Sequence, residues 1–241
     1  MANSSKVFLS AKWLDLVFLN YVVDPALLLP FVPPGTTLDS FAGKTYVSLV
    51  GFRFCETKLW GKFSVPFHSE FEEVNLRFYV RRETGHELRR GVVFIKEIVP
   101  KPAIALTARF VYGENYVSLP MNHKIASDAA TLEVEYGWNY RGQPSRILAR
   151  ANGSPQFAAE NSLEQYITEH YWGYSRQKSG RALEYQVVHS PWCVRPMAES
   201  RFEGNAAALY GPDLASVLYR PPDSAHFADG SPIQVHAGAR I

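Results

Sequence analysis

Residues 71–81 alternate strongly in polarity, most regularly from Glu73 onward. Val74, Leu76, Phe78 and Val80 fall on one parity, and Glu73, Asn75, Arg77 and Tyr79 on the other. A period of two is that of a β-strand, whose side chains point in turn to opposite faces. Further along, the pattern changes. Residues 102–112 carry Ile104, Ala105, Leu106, Ala108, Phe110 and Val111 with Arg109 as the only charge; Pro100 and Pro102 bracket Lys101 ahead of them and Gly113 follows. This predicts an apolar helix that stops at a glycine. An arginine on so apolar a helix needs a carboxylate or a polar cavity, because an unpaired buried charge costs several kcal/mol. Glu73 is the partner the sequence offers.

The rest of the chain reads mostly as strands. Residues 13–23 form an apolar run closed by Asp24-Pro25, and 25–31 a short helix capped by Asp24. After the break at Pro33-Pro34-Gly35, a short strand is predicted over 37–41 and a longer one from 43 to about 58, then a loop over 59–68. The strands at 70–82 and 90–98 face each other across Gly85 as a hairpin. Further strands are predicted over 115–125, 131–140, 145–151, 169–176 and 183–189, with a short helix over 162–168. Two last strands, 224–228 and 232–239, flank a turn at Asp229-Gly230. No repeat or low-complexity run interrupts them. The expected fold is mainly β (α+β): a closed or cone-like antiparallel β-barrel with a few short helices, one domain over 1–241, since closure removes exposed sheet edges.

Composition narrows the function. The 46% hydrophobic content supports a packed core, and 14% aromatics favour β structure and cavity walls. A net charge of +2 gives no polyanion-binding signature. The cluster Arg81-Arg82 and Arg89-Arg90 has no interleaved stacking aromatics and reads as a charged hairpin tip, not a nucleic-acid patch. Cys55 and Cys193 lie far apart, with neither metal spacing nor a disulfide framework, which fits a reducing compartment. The first six residues lack the apolar core of a signal peptide, and no apolar run reaches the ~18 residues of a membrane helix. A cytoplasmic protein with no membrane and no nucleic-acid partner is expected; a homo-oligomer is admissible.

Familiar catalytic motifs are missing. There is no phosphate-binding glycine loop, no HExxH and no GxSxG elbow, so no cofactor and no metal is expected. What remains is the polar parity Glu73, Asn75, Arg77 and Tyr79, with Arg109 and Tyr116 downstream. In most antiparallel sheets such a face is wet. In a closed barrel it can instead turn inward and line a ligand cavity. His170, beside Tyr171-Trp172, and His189, followed by Trp192, are further candidates for a cavity wall.

These residues carry a family resemblance. Residues 71–80, Ala108-Arg109-Phe110-Val111-Tyr112-Gly113, Val32-Pro33-Pro34-Gly35, Thr168-Glu169-His170-Tyr171 and His189-Ser190-Pro191-Trp192 resemble the uncharacterised YqjF-like proteins (domain of unknown function 2071) from about residue 10 onward. These look like members of the acetoacetate decarboxylase-like superfamily, which implies a β-barrel or cone around a small-molecule cavity. In the decarboxylases the matching segment reads Gly-Arg-Glu, then Gly-Phe-Pro-Lys-Lys, and the first lysine forms a Schiff base with the ketone. Matching Arg109 and Gly113 to that motif places Tyr116 and Val117 at the two lysines. Glu114-Asn115 stands for Phe-Pro, and Phe110 for the acid. Neither tyrosine nor valine can form an iminium. The resemblance therefore implies binding of a small organic acid or ketone, with Arg109, Asn75, Arg77, Tyr79, His170, His189 and Trp192 as binding residues. Any catalysis would be non-imine lyase or hydrolase chemistry through Glu73 and Tyr116. The contrasting expectation is a solidly packed barrel acting as a non-catalytic scaffold.

Overall fold

The computed structural model describes residues 6–61, 63–64, 69–85, 87–128 and 131–241. Its main elements are β1 (Val7–Val22), β2 (Tyr46–Leu59), β3 (Phe71–Thr84), β4 (Glu87–Val99), α1 (Pro102–Val111), β5 (Tyr116–Ser118), β6 (Met121–Ser127), β7 (Thr131–Tyr140), β8 (Gln143–Asn152), α2 (Leu163–Thr168), β9 (Trp172–Arg176), β10 (Ala182–His189), β11 (Cys193–Glu203), α3 (Ala207–Tyr210), α4 (Pro212–Leu218) and β12 (Ser224–His236). Seven strands close into a barrel in the order β10-β9-β4-β3-β2-β1-β12, and β12 returns to β10 through Val187↔Val235 and His189↔Ile233. Every neighbour in the ring is antiparallel except β9, which lies parallel to β4 at Trp172↔Gly91. A parallel neighbour needs a long crossover, and the chain spends it on α1, β5, three strands of an outer sheet and α2.

That outer sheet, β6-β7-β8-β11, is antiparallel and joins the barrel where β11 meets β12 at Val194↔Ala228. It creates a second layer. The outward residues Val74, Leu76, Phe78 and Val80 are fully buried, in one apolar core with Val134, Tyr136, Trp138 and Ile147 of the sheet and Leu214 and Leu218 of α4. The opposite parity is buried as well: Glu73, Asn75, Arg77 and Tyr79 expose 3%, 2%, 7% and 0% of their surfaces. With the outward face taken by apolar packing, the polar parity lies inside the barrel. The expectation of a mainly β barrel with a few short helices holds.

Several details differ from the sequence reading. Residues 25–31 form two single 3₁₀ turns, Pro25–Leu27 and Leu29–Phe31, and the strand over 37–41 shrinks to Thr37–Leu38. The strand expected over 115–125 divides at Pro120. β5 stays with the barrel beside β4 while β6 crosses to the outer sheet, so one continuous strand could not serve both layers. The 169–176 segment is strand only from Trp172, because Glu169 still caps α2. Asp229-Gly230 is no turn; β12 pairs with β1 straight through it, with Leu14↔Gly230 in register. Gly230 has φ +88°, and a β-carbon there would meet the Trp13 carbonyl oxygen, so only glycine lets the strands close. β11, α3 and α4 were not foreseen. The loop predicted over 59–68 lies partly, and His68 and His86 wholly, outside the described residues.

Three arginines of the basic cluster form ion pairs: Arg82 and Arg89 share Glu184 at 2.8 and 2.6 Å, and Arg90 reaches Asp39 at 3.4 Å. Cys55 and Cys193 are free thiols. Among the described residues no helix is long and apolar enough to cross a membrane.

Candidate functional site

The barrel encloses a cavity of about 260 Å³. Its walls are largely aromatic, including Trp13, Phe52, Phe54, Phe71 and Phe94, while the polar groups gather in two zones. Three strands build the acidic zone. Glu73 and Asn75 come from the inward parity of β3; Glu97 of β4 pairs with Asn75 across the hairpin and therefore shares its face; Tyr116 of β5 pairs with Glu97. Asn75 Nδ2 donates to Glu73 Oε1 at 3.0 Å, and the Tyr116 hydroxyl donates to Glu73 Oε2 at 3.1 Å. Glu97 lies beside Tyr116 and Glu114, and Glu114 accepts from the Tyr185 hydroxyl. Tyr185 reaches this position across Gly173, where any β-carbon would overlap its ring.

Three carboxyls in so dry a place cannot all ionise. Burial pushes Glu73 up to about 7 against the hydrogen bonds from Asn75 and Tyr116 and the nearby Arg77 charge. Burial raises Glu114 to about 8, and it raises Glu97 well above the carboxylate range, with the charges of Glu114 and Glu73 adding to the effect. The Tyr116 and Tyr185 phenols are raised by burial and then by these carboxylates, so both stay protonated.

The basic zone centres on Arg77. Its guanidinium lies 5.1 Å from the Phe18 ring centroid and 5.7 Å from that of Tyr79, and Nη2 donates to the Ile167 carbonyl at 3.1 Å. Nε has no hydrogen-bond partner, and among the described residues no carboxylate is within ion-pair distance of Arg77. His170 lines the cavity with both ring nitrogens unpartnered, its ring 4.7 Å from that of Tyr79. Burial and then the Arg77 charge hold His170 well below its ordinary value, so its imidazole stays neutral. His189 stacks on Trp192 at 4.2 Å, and its Nδ1 bonds the Ser190 carbonyl; Trp192 Nε1 donates to Ser231 at 2.9 Å. Burial lowers His189 too.

Of the residues predicted from sequence, Glu73, Asn75, Arg77, Tyr116, His170, His189 and Trp192 all line this cavity. Two do not. Tyr79 is fully buried and hydrogen-bonded to Ser48 at 2.6 Å, packed against His170 instead of facing the space. Arg109 is the larger correction. It is exposed, and its Nε donates to the Tyr116 carbonyl at 2.6 Å, so no guanidinium from α1 meets Glu73. The reason is that α1 buries only a narrow stripe: Ala105 is buried, Ile104 and Ala108 face the cavity, and Leu106 and Phe110 are exposed by 68% and 90%. Its apolar sequence does not mark a buried helix. Glu97, Glu114 and Tyr185 were missed. Among the described lining residues there is no lysine; Lys101 sits at the N-cap of α1. No group of acidic, histidine or cysteine side chains suited to a metal ion occurs among the described residues.

Residues 10–232 match the profile of DUF2071, described as "Uncharacterized conserved protein". The chain belongs to this family. It is 25% identical over 183 residues to "Uncharacterized protein YqjF" of Bacillus subtilis (strain 168), spanning 76% of this chain and 73% of that protein. The enduracididine biosynthesis enzyme MppR complexed with pyruvate superposes with a TM-score of 0.68 at 12% identity, covering 99% of this chain and 92% of the other. Acetoacetate decarboxylase from Legionella pneumophila gives 0.65 at 12% identity, covering 99% and 89%. These likenesses establish a shared acetoacetate decarboxylase-like fold for this DUF2071 member.

Proposed function

We propose that the barrel binds a small organic acid or ketone, with the ligand's carboxylate on Arg77 and its carbonyl turned toward the acidic zone of Tyr116, Glu97 and Glu73. Arg77 carries this reading. A buried guanidinium that faces a cavity without a carboxylate is costly unless an anion completes it, and the planar fork suits a carboxylate. The role first given to Arg109 passes to Arg77. Aromatic walls suit the ligand's carbon skeleton, and a protonated carboxyl can donate to its carbonyl. The pyruvate-bound relative offers a precedent for a 2-oxo acid in this fold. With no lysine among the described lining residues, binding and any chemistry proceed without an imine. The open cavity argues against the alternative of a solid scaffold.

A thermal-shift series with pyruvate, 2-oxobutanoate and acetoacetate tests this. The wild type and Arg109→Ala rise together, and Arg77→Met does not respond; ligand at 100 times its Kd stabilises by about 2.7 kcal/mol. Silence toward every acid, or equal responses from Arg77→Met and wild type, contradicts the reading. Borohydride with pyruvate leaves no lysine adduct, and an adduct would restore imine chemistry.

A further inference from the structure

Resting on that reading, we propose that the barrel exchanges the α-protons of a bound 2-oxo acid with solvent through Glu73, Tyr116 and Glu97, by reversible enolisation without a covalent intermediate. Glu73 has both oxygens oriented. Asn75 holds Oε1 and Tyr116 meets Oε2, so its carboxylate is fixed on the cavity wall. Glu97 Oε2 and Asn75 Oδ1 are buried and have no hydrogen-bond partner, and both residues face the same space. These are groups placed for something that the chain itself does not supply. A ligand carboxylate on Arg77, one strand position along from Asn75 on the same face, would bring the adjoining keto carbon toward Glu73 and Glu97.

In the forward step the Glu73 carboxylate removes a proton from the carbon beside the keto group. The C–H electron pair forms a C=C bond, and the carbonyl pair moves onto oxygen, which takes the Glu97 carboxyl proton. The reverse step returns the enol proton to Glu97 and a proton from Glu73 to carbon. No oxidant, reductant or second substrate is needed. Between the two steps Tyr116 links Glu73 to Glu97, and Glu97 lies beside Glu114. Glu114 is half-buried as a residue, while Glu73 and Glu97 are enclosed. The relay thus runs from Glu114, at the edge of the acidic zone, to the reacting carbon. Burial suits the roles, leaving Glu97 protonated as the acid and Glu73 able to ionise near neutrality as the base.

The test is ¹H NMR of the pyruvate methyl signal in D₂O, with thermal shift run on the same samples. The wild type washes the methyl protons out faster than buffer, with a rate that rises as pH passes through about 7. Glu73→Gln slows this by roughly 100-fold or more, and Tyr116→Phe slows it as well, while both variants keep a pyruvate-induced shift in Tm, reduced at most in part, because the carboxylate contact at Arg77 remains. If pyruvate raises Tm but exchange is no faster than in buffer, or persists in Glu73→Gln, enolisation is wrong and binding stands. If neither pyruvate nor 2-oxobutanoate raises Tm, both readings fall.

Discussion

The two faces of β3 are equally buried and differ in everything else. The outward face, Val74, Leu76, Phe78 and Val80, meets the outer sheet and α4 in a continuous apolar core. The inward face, Glu73, Asn75 and Arg77, meets a cavity, and its polar groups are only partly satisfied by one another. An ordinary amphipathic strand has one dry face and one wet one. Here a second layer dries the outward face, and barrel closure removes the other from bulk water. The alternation that usually marks a surface strand marks the wall of an internal cavity instead. One face contributes stability, and the other holds buried polar groups without partners, at some cost to it.

Mutations should separate the faces. The largest effect is expected outward: Phe78→Ala leaves a void in a fully buried site and lowers stability by about 3–5 kcal/mol in urea unfolding. Loss below about 1 kcal/mol would mean that the outer layer does not pack as described. The inward face should respond to pH. Glu73 and Glu114 have folded pKa values above the ordinary 4.5, so the folded protein holds protons that the unfolded chain has released. Stability therefore falls as pH rises from about 4.5 through about 7 and 8, by on the order of several kcal/mol, and is not regained above that window. Glu73→Gln should flatten part of this slope and be at least as stable as wild type at pH 8, read by denaturation across pH. A wild type that gains stability over the same range would place these carboxyls in water. The smallest effect is expected from Arg109→Ala, within about 0.5 kcal/mol, because its guanidinium is exposed. A large loss would return Arg109 to a buried role.

How much of this was legible depends on which signals are local. The alternation of β3, the hairpin to β4 and the helix after Pro102 stand in the sequence because each follows from a short period or a turn residue. The direction of the polar parity does not, since it depends on whether a second layer covers the other side. Arg109 misled for a related reason: composition alone cannot tell a buried apolar helix from one exposing Leu106 and Phe110. Glu97 shows the limit most clearly. Counting back from Thr84↔Glu87 puts Lys96 opposite Asn75, but the register shifts between Leu76 and Arg77, so Glu97 takes that place. A single bulge changes the chamber from one with a lysine to one with a third carboxyl. For α4 the signal is local, in Pro212 followed by Leu214, Val217 and Leu218.

The most direct test of the central claim is a crystal structure of the protein soaked with pyruvate. Electron density is expected inside the barrel, with the carboxylate against the Arg77 guanidinium and the keto oxygen toward Tyr116 and Glu97. An empty chamber at saturating pyruvate, or a ligand seated against Arg109 on the outside of α1, would contradict it.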